Sequence, residues 1–219
     1  MHNVTVAFAA LLVMLLSYFF GCFNGSFMVS HFIIRDDVRK HGSGNAGLTN
    51  FYRTYGAKYA LLVIACDMGK TVAACLLGSF FFRCLGWDGT LGTLLAGLGC
   101  ELGHIFPVFY GFRGGKGILS GGTLVLLLNW RVAAVAWALF LLLWLTTRYV
   151  SLASITATCS APMTVYFVYA HNPIYTGLCL AVAALALWCH RKNIQRLLHG
   201  TEKKFKWHVN PTEGKEPPK

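Results

Sequence analysis

The sequence predicts an all-α protein: a polytopic membrane helix bundle with seven transmembrane helices, its N-terminus outside and its C-terminus cytoplasmic. Composition is the first reason. Of the 219 residues 56% are hydrophobic and only 12% charged, about half the charged share of a soluble domain, and mean hydropathy is +0.55. The second reason is that apolar runs long enough to cross a bilayer recur along the chain. The third is where the charge sits. Of the 19 Lys and Arg, all but Arg83, Arg131 and Lys70 fall on connections that share one side, and such an excess marks the cytoplasmic face.

The helices are expected at about residues 4–34, 57–82, 89–110, 117–129, 131–147, 152–170 and 173–190. The first apolar run has no basic residue before it and no small-x-small cleavage signal after it, so it reads as a retained helix and not a signal peptide. It is longer than a bilayer needs, and its end from Ser30 is expected to emerge into the interface. The second carries Asp67 and Lys70 at i, i+3, which reads as an ion pair inside the membrane. Pro107 breaks the third near the surface. The fourth and fifth are short and share the tight connection Asn129-Trp130-Arg131. Beyond Arg191 the chain turns polar and basic. Residues 1–207 therefore read as one transmembrane domain with a cytoplasmic-face site, and 208–219 as a flexible polar tail.

Net charge is +11, yet no basic, aromatic-interleaved soluble face exists, which excludes nucleic acid as a partner. Membrane lipid is the surrounding implied, and nothing calls for an obligate protein partner. The eight cysteines are scattered through apolar segments without a C-x-x-C pair, so neither a disulfide framework nor a zinc site is expected.

Four polar islands interrupt the apolar pattern, all on the cytoplasmic side by the count above. The first is His41-Gly42-Ser43-Gly44-Asn45-Ala46-Gly47-Leu48-Thr49-Asn50-Phe51-Tyr52-Arg53. Its glycines can bring bare N–H groups to a ligand, Ser43, Asn45 and Asn50 add neutral donors, and Arg53 adds a forked positive charge. Donors without an acid suit an oxyanion such as phosphate. The second runs from Gly103 and His104 to Arg113-Gly114-Gly115-Lys116-Gly117. It is not a Walker A loop, because Gly117 follows Lys116 where Ser or Thr is needed. The third places Ser151 and Ser154 on one helix face, and the fourth does the same for His190 and Asn193. His31 and Asp36 form an H-x-x-x-x-D pattern that the absence of downstream phosphate-binding pieces discounts.

G-S-G-N-x-G-x-x-N-x-x-R at 42–53, G-H-x-F-P-V-F-x-G-F-x-G-G-K-G at 103–117, R-Y-V-S-L-A-S at 148–154 and H-R-x-N-I-x-R-L-x-x-G-x-E at 190–202 together resemble the bacterial acyl-phosphate:glycerol-3-phosphate acyltransferase family. The resemblance implies a multi-pass enzyme of the bacterial inner membrane with seven transmembrane helices. Its reaction moves an acyl group from acyl phosphate to the 1-hydroxyl of glycerol 3-phosphate, giving lysophosphatidic acid and phosphate, with no cofactor and no metal. By resemblance Ser43, Arg53, His190 and Asn193 hold glycerol 3-phosphate, Lys116 sits between the two phosphates, and Ser154 with the backbone at Gly114 and Gly115 holds the acyl phosphate. Gly42, Asn45, Gly47, Asn50, His104, Gly117 and Ser151 complete the expected binding set. The hydroxyl proton goes either to the acyl phosphate's own phosphate or to His190. The alternative class is a transporter of a phosphorylated or anionic solute. It is disfavoured because the halves show no repeat and the polar groups cluster on one face.

Overall fold

The computed structural model describes residues 2–207, in which every regular element is helical. The tail read at 208–219 lies outside the described residues. Helix α1 spans His2–Cys22, α2 Gly25–Met28 continuing as a π-helical turn Val29–Ile34, α3 Leu48–Tyr55 and α4 Ala60–Cys84. Then follow α5 Gly89–Ile105, α6 Ile118–Leu128, α7 Trp130–Thr147, α8 Val150–Val168 and α9 Pro173–Leu198. Among the described residues six stretches are long and apolar enough to cross a membrane: Val4–Ile34, Ala60–Cys84, Gly89–Tyr110, Trp130–Thr147, Val150–Val168 and Pro173–Leu198. The shorter α6 is also apolar, but its 11 residues reach only about 16 Å, half a hydrocarbon core.

The bundle is built around α5: the stretch Gly89–Tyr110 that contains it is 78% buried, against 39% at most for the other five. Glycine makes this possible. A Cβ on Gly103 would run into the Tyr18 carbonyl and one on Gly99 into that of Met14, so α1 and α5 approach backbone to backbone, as helices do in lipid. Three apolar clusters fill the rest. One joins Leu94, Val125, Val132, Ala161, Val165 and Cys179 across α5 to α9. A second joins α1, α4 and α5, and a third, around Phe27, Val38 and Phe51, underlies the first polar island.

The first predicted helix is not continuous, and the break has an identifiable cause. Lys70 Nζ donates to the Gly21 and Phe23 carbonyls, both at 3.1 Å, and to Asp67 Oδ1 at 2.8 Å. Asp67 Oδ1 accepts from the Gly25 amide at 3.0 Å. The i, i+3 ion pair expected from sequence thus also satisfies the carbonyls left where α1 stops and the amide where α2 starts. Asn24 completes the turn, with Oδ1 accepting from Phe27 N and Nδ2 donating to Ala46 O, each at 2.9 Å. Two further differences matter to the site. Residues 48–55, read as loop, form α3, and α9 runs on to Leu198, eight residues past the expected end. All eight cysteines are free thiols.

Candidate active site

The four polar islands meet at one end of the bundle, around a cavity of about 630 Å³. Ser43, Asn45, Gly47, Asn50 and Arg53 reach it from the first island, and His104, Lys116 and Gly117 from the second. Ser151, Ser154, His190 and Asn193 reach it from the third and fourth. Gly42, Gly114 and Gly115 do not line it, although all three were expected in the binding set.

The first island is held by Asn50. Its Nδ2 donates to the Val38 and His41 carbonyls, each at 3.1 Å, and its Oδ1 accepts from the Ser43 amide at 2.9 Å. Asn50 therefore spends its amide on the loop and not on a ligand. Gly42 sits at φ +58°, and a Cβ there would meet Asn50 Oδ1, so its role is to let that clamp close. Helix α3 then opens at Gly47 with no side-chain cap, leaving its first amides beside Ser43 and Asn45 at the cavity wall. It presents Arg53 one turn further on, while Phe51 packs inward.

The second island differs from expectation in its backbone. The amides of Gly114 and Gly115 donate to the Ile105 and His104 carbonyls at 3.1 Å, so they are not free for a phosphate. Gly114 O accepts from Ala46 N and Asn45 Nδ2, both at 3.3 Å, which ties this island to the first. These glycines fix the loop and leave Lys116 to project. Gly117 sits at φ +80° against the buried Glu101 carboxylate, and α6 opens there without a side-chain cap. His104 is buried with Nδ1 2.8 Å from Lys70 Nζ and 3.6 Å from Asp67 Oδ1, so its ring joins the buried ion pair while Nε2 lies beneath Gly115. His31 and Asp36 do not pair. Asp36 binds His41 Nε2 at 2.8 Å and His31 stacks on Phe27.

Lys116 Nζ donates to Asn193 Oδ1, and Asn193 Nδ2 donates to Glu202 Oε1 at 2.7 Å. The same carboxylate accepts from Ser151 Oγ at 2.8 Å and from Arg196 Nε at 2.7 Å. Burial alone would raise the Glu202 carboxyl, but the hydrogen bonds from Arg196, Asn193 and Ser151 outweigh it and hold it below its ordinary value. Burial lowers Lys116 to about 8, with Glu202 pulling upward and Arg196 downward. Arg53 is lowered as well, again chiefly by burial. On α9, His190 Nδ1 lies 2.7 Å from the Ala186 carbonyl. Nδ1 must therefore donate, which makes Nε2 the acceptor.

Sequence reasoning left Arg196 and Glu202 without a role. Arg196 follows Asn193 at the same i, i+3 interval that links Asn193 to His190, a signal that would have placed it on the same face. Residues 201–207 fold back over the mouth: Phe205 N donates to Arg148 O at 2.8 Å, Tyr52 Oη to Trp207 O at 2.7 Å, and Arg53 Nη2 to Lys203 O at 3.1 Å. Phe205 stacks on Tyr52 at 5.2 Å. Helix α3 had a signal too, since Leu48, Phe51 and Tyr55 fall at i, i+3 and i+7.

The chain as a whole has known relatives. Residues 11–200 match the family model described as glycerol-3-phosphate acyltransferase. The chain is 38% identical over 190 residues to the glycerol-3-phosphate acyltransferase of Finegoldia magna, covering 86% of this chain and 92% of that one. With the enzyme of Thermoanaerobacter pseudethanolicus it is 36% identical over 196 residues, covering 90% and 96%. The crystal structure of PlsY (YgiH), an integral membrane glycerol 3-phosphate acyltransferase, superposes in its glycerol 3-phosphate form with a TM-score of 0.79 at 36% identity, over 90% of this chain and 96% of that one. Its lysophosphatidic acid form gives 0.77 at 34%, over 90% and 95%. With a family model spanning most of its length and relatives this similar, the chain belongs to the glycerol-3-phosphate acyltransferase family.

Proposed function

We propose that this protein transfers the acyl group of an acyl phosphate to the 1-hydroxyl of glycerol 3-phosphate, releasing phosphate and lysophosphatidic acid. The site faces the cytoplasm in a bacterial inner membrane, in a bundle whose seventh helix is α6. The observation that carries this reading is a gathering of anion-binding groups over an apolar cavity. Helices α3, α6 and α8 all open without a side-chain cap at residues that line the cavity, as do Arg53, Lys116 and Arg196. Helix N-termini and fixed cations favour phosphate oxygens. Two anionic substrates that repel each other in water can be held together there, which removes the entropic and electrostatic part of the barrier.

Ser43, Arg53, His190 and Asn193 hold glycerol 3-phosphate, Lys116 lies between the two phosphates, and Ser154 with the open end of α6 receives the acyl phosphate. The 1-hydroxyl oxygen attacks the acyl carbonyl carbon, the acyl–phosphate C–O bond breaks, and the hydroxyl proton ends on the released phosphate. His190 Nε2, an acceptor by virtue of the Ala186 contact, accepts from the 2-hydroxyl and so orients the glycerol, leaving the 1-hydroxyl proton directed at the acyl phosphate. The family assignment sets the transporter reading aside.

The test is release of phosphate by purified protein in lipid, given hexadecanoyl phosphate and glycerol 3-phosphate, with hexadecanoyl-CoA replacing the donor as control. Phosphate and lysophosphatidic acid are expected together, and only with the acyl phosphate. Turnover with the CoA donor alone would overturn the donor assignment. Ser154→Ala is expected to raise the KM for acyl phosphate more than that for glycerol 3-phosphate; the reverse would exchange the two pockets.

A further inference from the structure

We infer that Val125, Ala136, Ala161 and Cys179 form the floor that sets how long an acyl chain this protein accepts. The inference rests on the acyl-transfer reading and names the residues that limit its substrate.

Below the level of Lys116 and Ser154 the cavity descends between α4, α6, α7, α8 and α9, and its walls become apolar, with Ile64, Met68, Leu124 and Phe140 among them. Four residues belong both to this lining and to the core cluster that includes Leu94, Leu128, Val132 and Val165. They are Val125, Ala136, Ala161 and Cys179, one from each of α6, α7, α8 and α9. Each is 9% exposed or less. Where a side chain faces the cavity on one side and the closed core on the other, the cavity ends. Three of the four are small, so the space reaches as deep as it does because these positions carry little bulk, and added bulk there would shorten it.

The depth follows from helix geometry. At 1.5 Å per residue, Ser154 to Ala161 spans about 10 Å, Gly117 to Val125 about 12 Å and His190 to Cys179 about 16 Å. An extended chain advances roughly 1.3 Å per carbon, given C–C bonds near 1.5 Å. The floor therefore lies roughly 8 to 12 carbons below the reacting carbonyl, and a longer donor must bend within the cavity or leave it between helices.

Length discrimination here cannot come from hydrophobic transfer, because lipid tails are as apolar as the cavity wall. It comes from shape. A close-packed site resists added volume, and an overfilled one loses on the order of tenfold in occupancy or more.

The experiment compares turnover of hexanoyl and hexadecanoyl phosphate, each with saturating glycerol 3-phosphate, for the unaltered protein and for Ala161→Phe, Cys179→Phe and Val125→Ala. The two phenylalanine variants raise the floor from different helices, and Val125→Ala lowers it. The ratio of hexadecanoyl to hexanoyl turnover is expected to fall at least tenfold in both phenylalanine variants, with hexanoyl turnover kept, and to rise in Val125→Ala. An unchanged ratio in both phenylalanine variants overturns the inference. Loss of both donors in both variants does so too, since the floor would then serve the fold and not the length choice. Failure of the unaltered protein on both donors would instead overturn the acyl-transfer reading itself.

Discussion

With its ammonium turned to Asn193 and lowered to about 8 by burial, Lys116 gives the site a pH signature. Below that value the ammonium is present to attract phosphate; above it the charge is lost. The substrate phosphate becomes a dianion near pH 6. kcat/KM, which reports the free enzyme, is therefore expected to be highest between about 6 and 8, then to fall as pH rises. Lys116→Arg should remove the alkaline fall while lowering the rate, because a guanidinium keeps its charge but not the ammonium's compact geometry. An unchanged alkaline limb would show that another group sets it. Lys116→Ala should cut turnover by about 100-fold or more without altering the unfolding temperature.

The Asp67–Lys70 pair makes a different prediction at the same scale, one about stability. Both side chains are nearly fully buried at 2.8 Å separation, so Lys70→Ala would strand a charge and is expected to cost about 3–5 kcal/mol. Asp67→Asn together with Lys70→Met should recover part of that loss in thermal unfolding. If the double variant were as unstable as the single one, the pair would matter through its backbone contacts and not its charges.

Among the elements, helix beginnings are treated differently at the two ends of the bundle. At the end away from the cavity, α5, α7 and α9 are capped by Asp88, Asn129 and Asn172. At the cavity end, α3, α6 and α8 have no side-chain cap. A free helix N-terminus costs stability that a cap would return, so the open ends make physical sense where an anionic ligand supplies the missing acceptor. Gly47→Asp tests this. It should leave the unfolding temperature equal or slightly higher, since aspartate caps as well as glycine or better, yet cut activity at least tenfold by placing a carboxylate where the phosphate is proposed to bind. Full activity would mean that α3 does not receive substrate. The α1–α2 break is testable as well: Asn24→Ala leaves Phe27 N and Ala46 O unpaired and should cost about 1–3 kcal/mol.

For the whole molecule the prediction concerns orientation. The basic residues are expected to face the cytoplasm, so a label added after Trp207 should resist membrane-impermeant reagent in intact cells and react once the membrane is opened. Immediate labelling in intact cells would reverse the proposed topology. The six membrane-length stretches and the central place of α5 hold either way, because they depend on packing and not on sidedness.

The sequence by itself determined the helical class, the family and the four islands that meet at the cavity. Those features live in hydrophobic run length, in charge placement and in residue types whose chemistry is local. It also contained the Asp67–Lys70 pair, since i, i+3 neighbours meet on any helix. Only the tertiary structure decided what the polar groups are bonded to. Asn50, Gly114 and Gly115 look like ligand donors in a linear reading, but their hydrogen-bonding capacity is spent on carbonyls and amides of the two loops themselves. The break in α1 could not be read because its partner, Lys70, lies 49 residues from Gly21. Glu202 was invisible for the same reason: Ser151, 51 residues away, and Arg196 converge on it only once the chain has turned back over the mouth. Hydrogen-bond satisfaction is a property of which surfaces meet, and that is settled by folding.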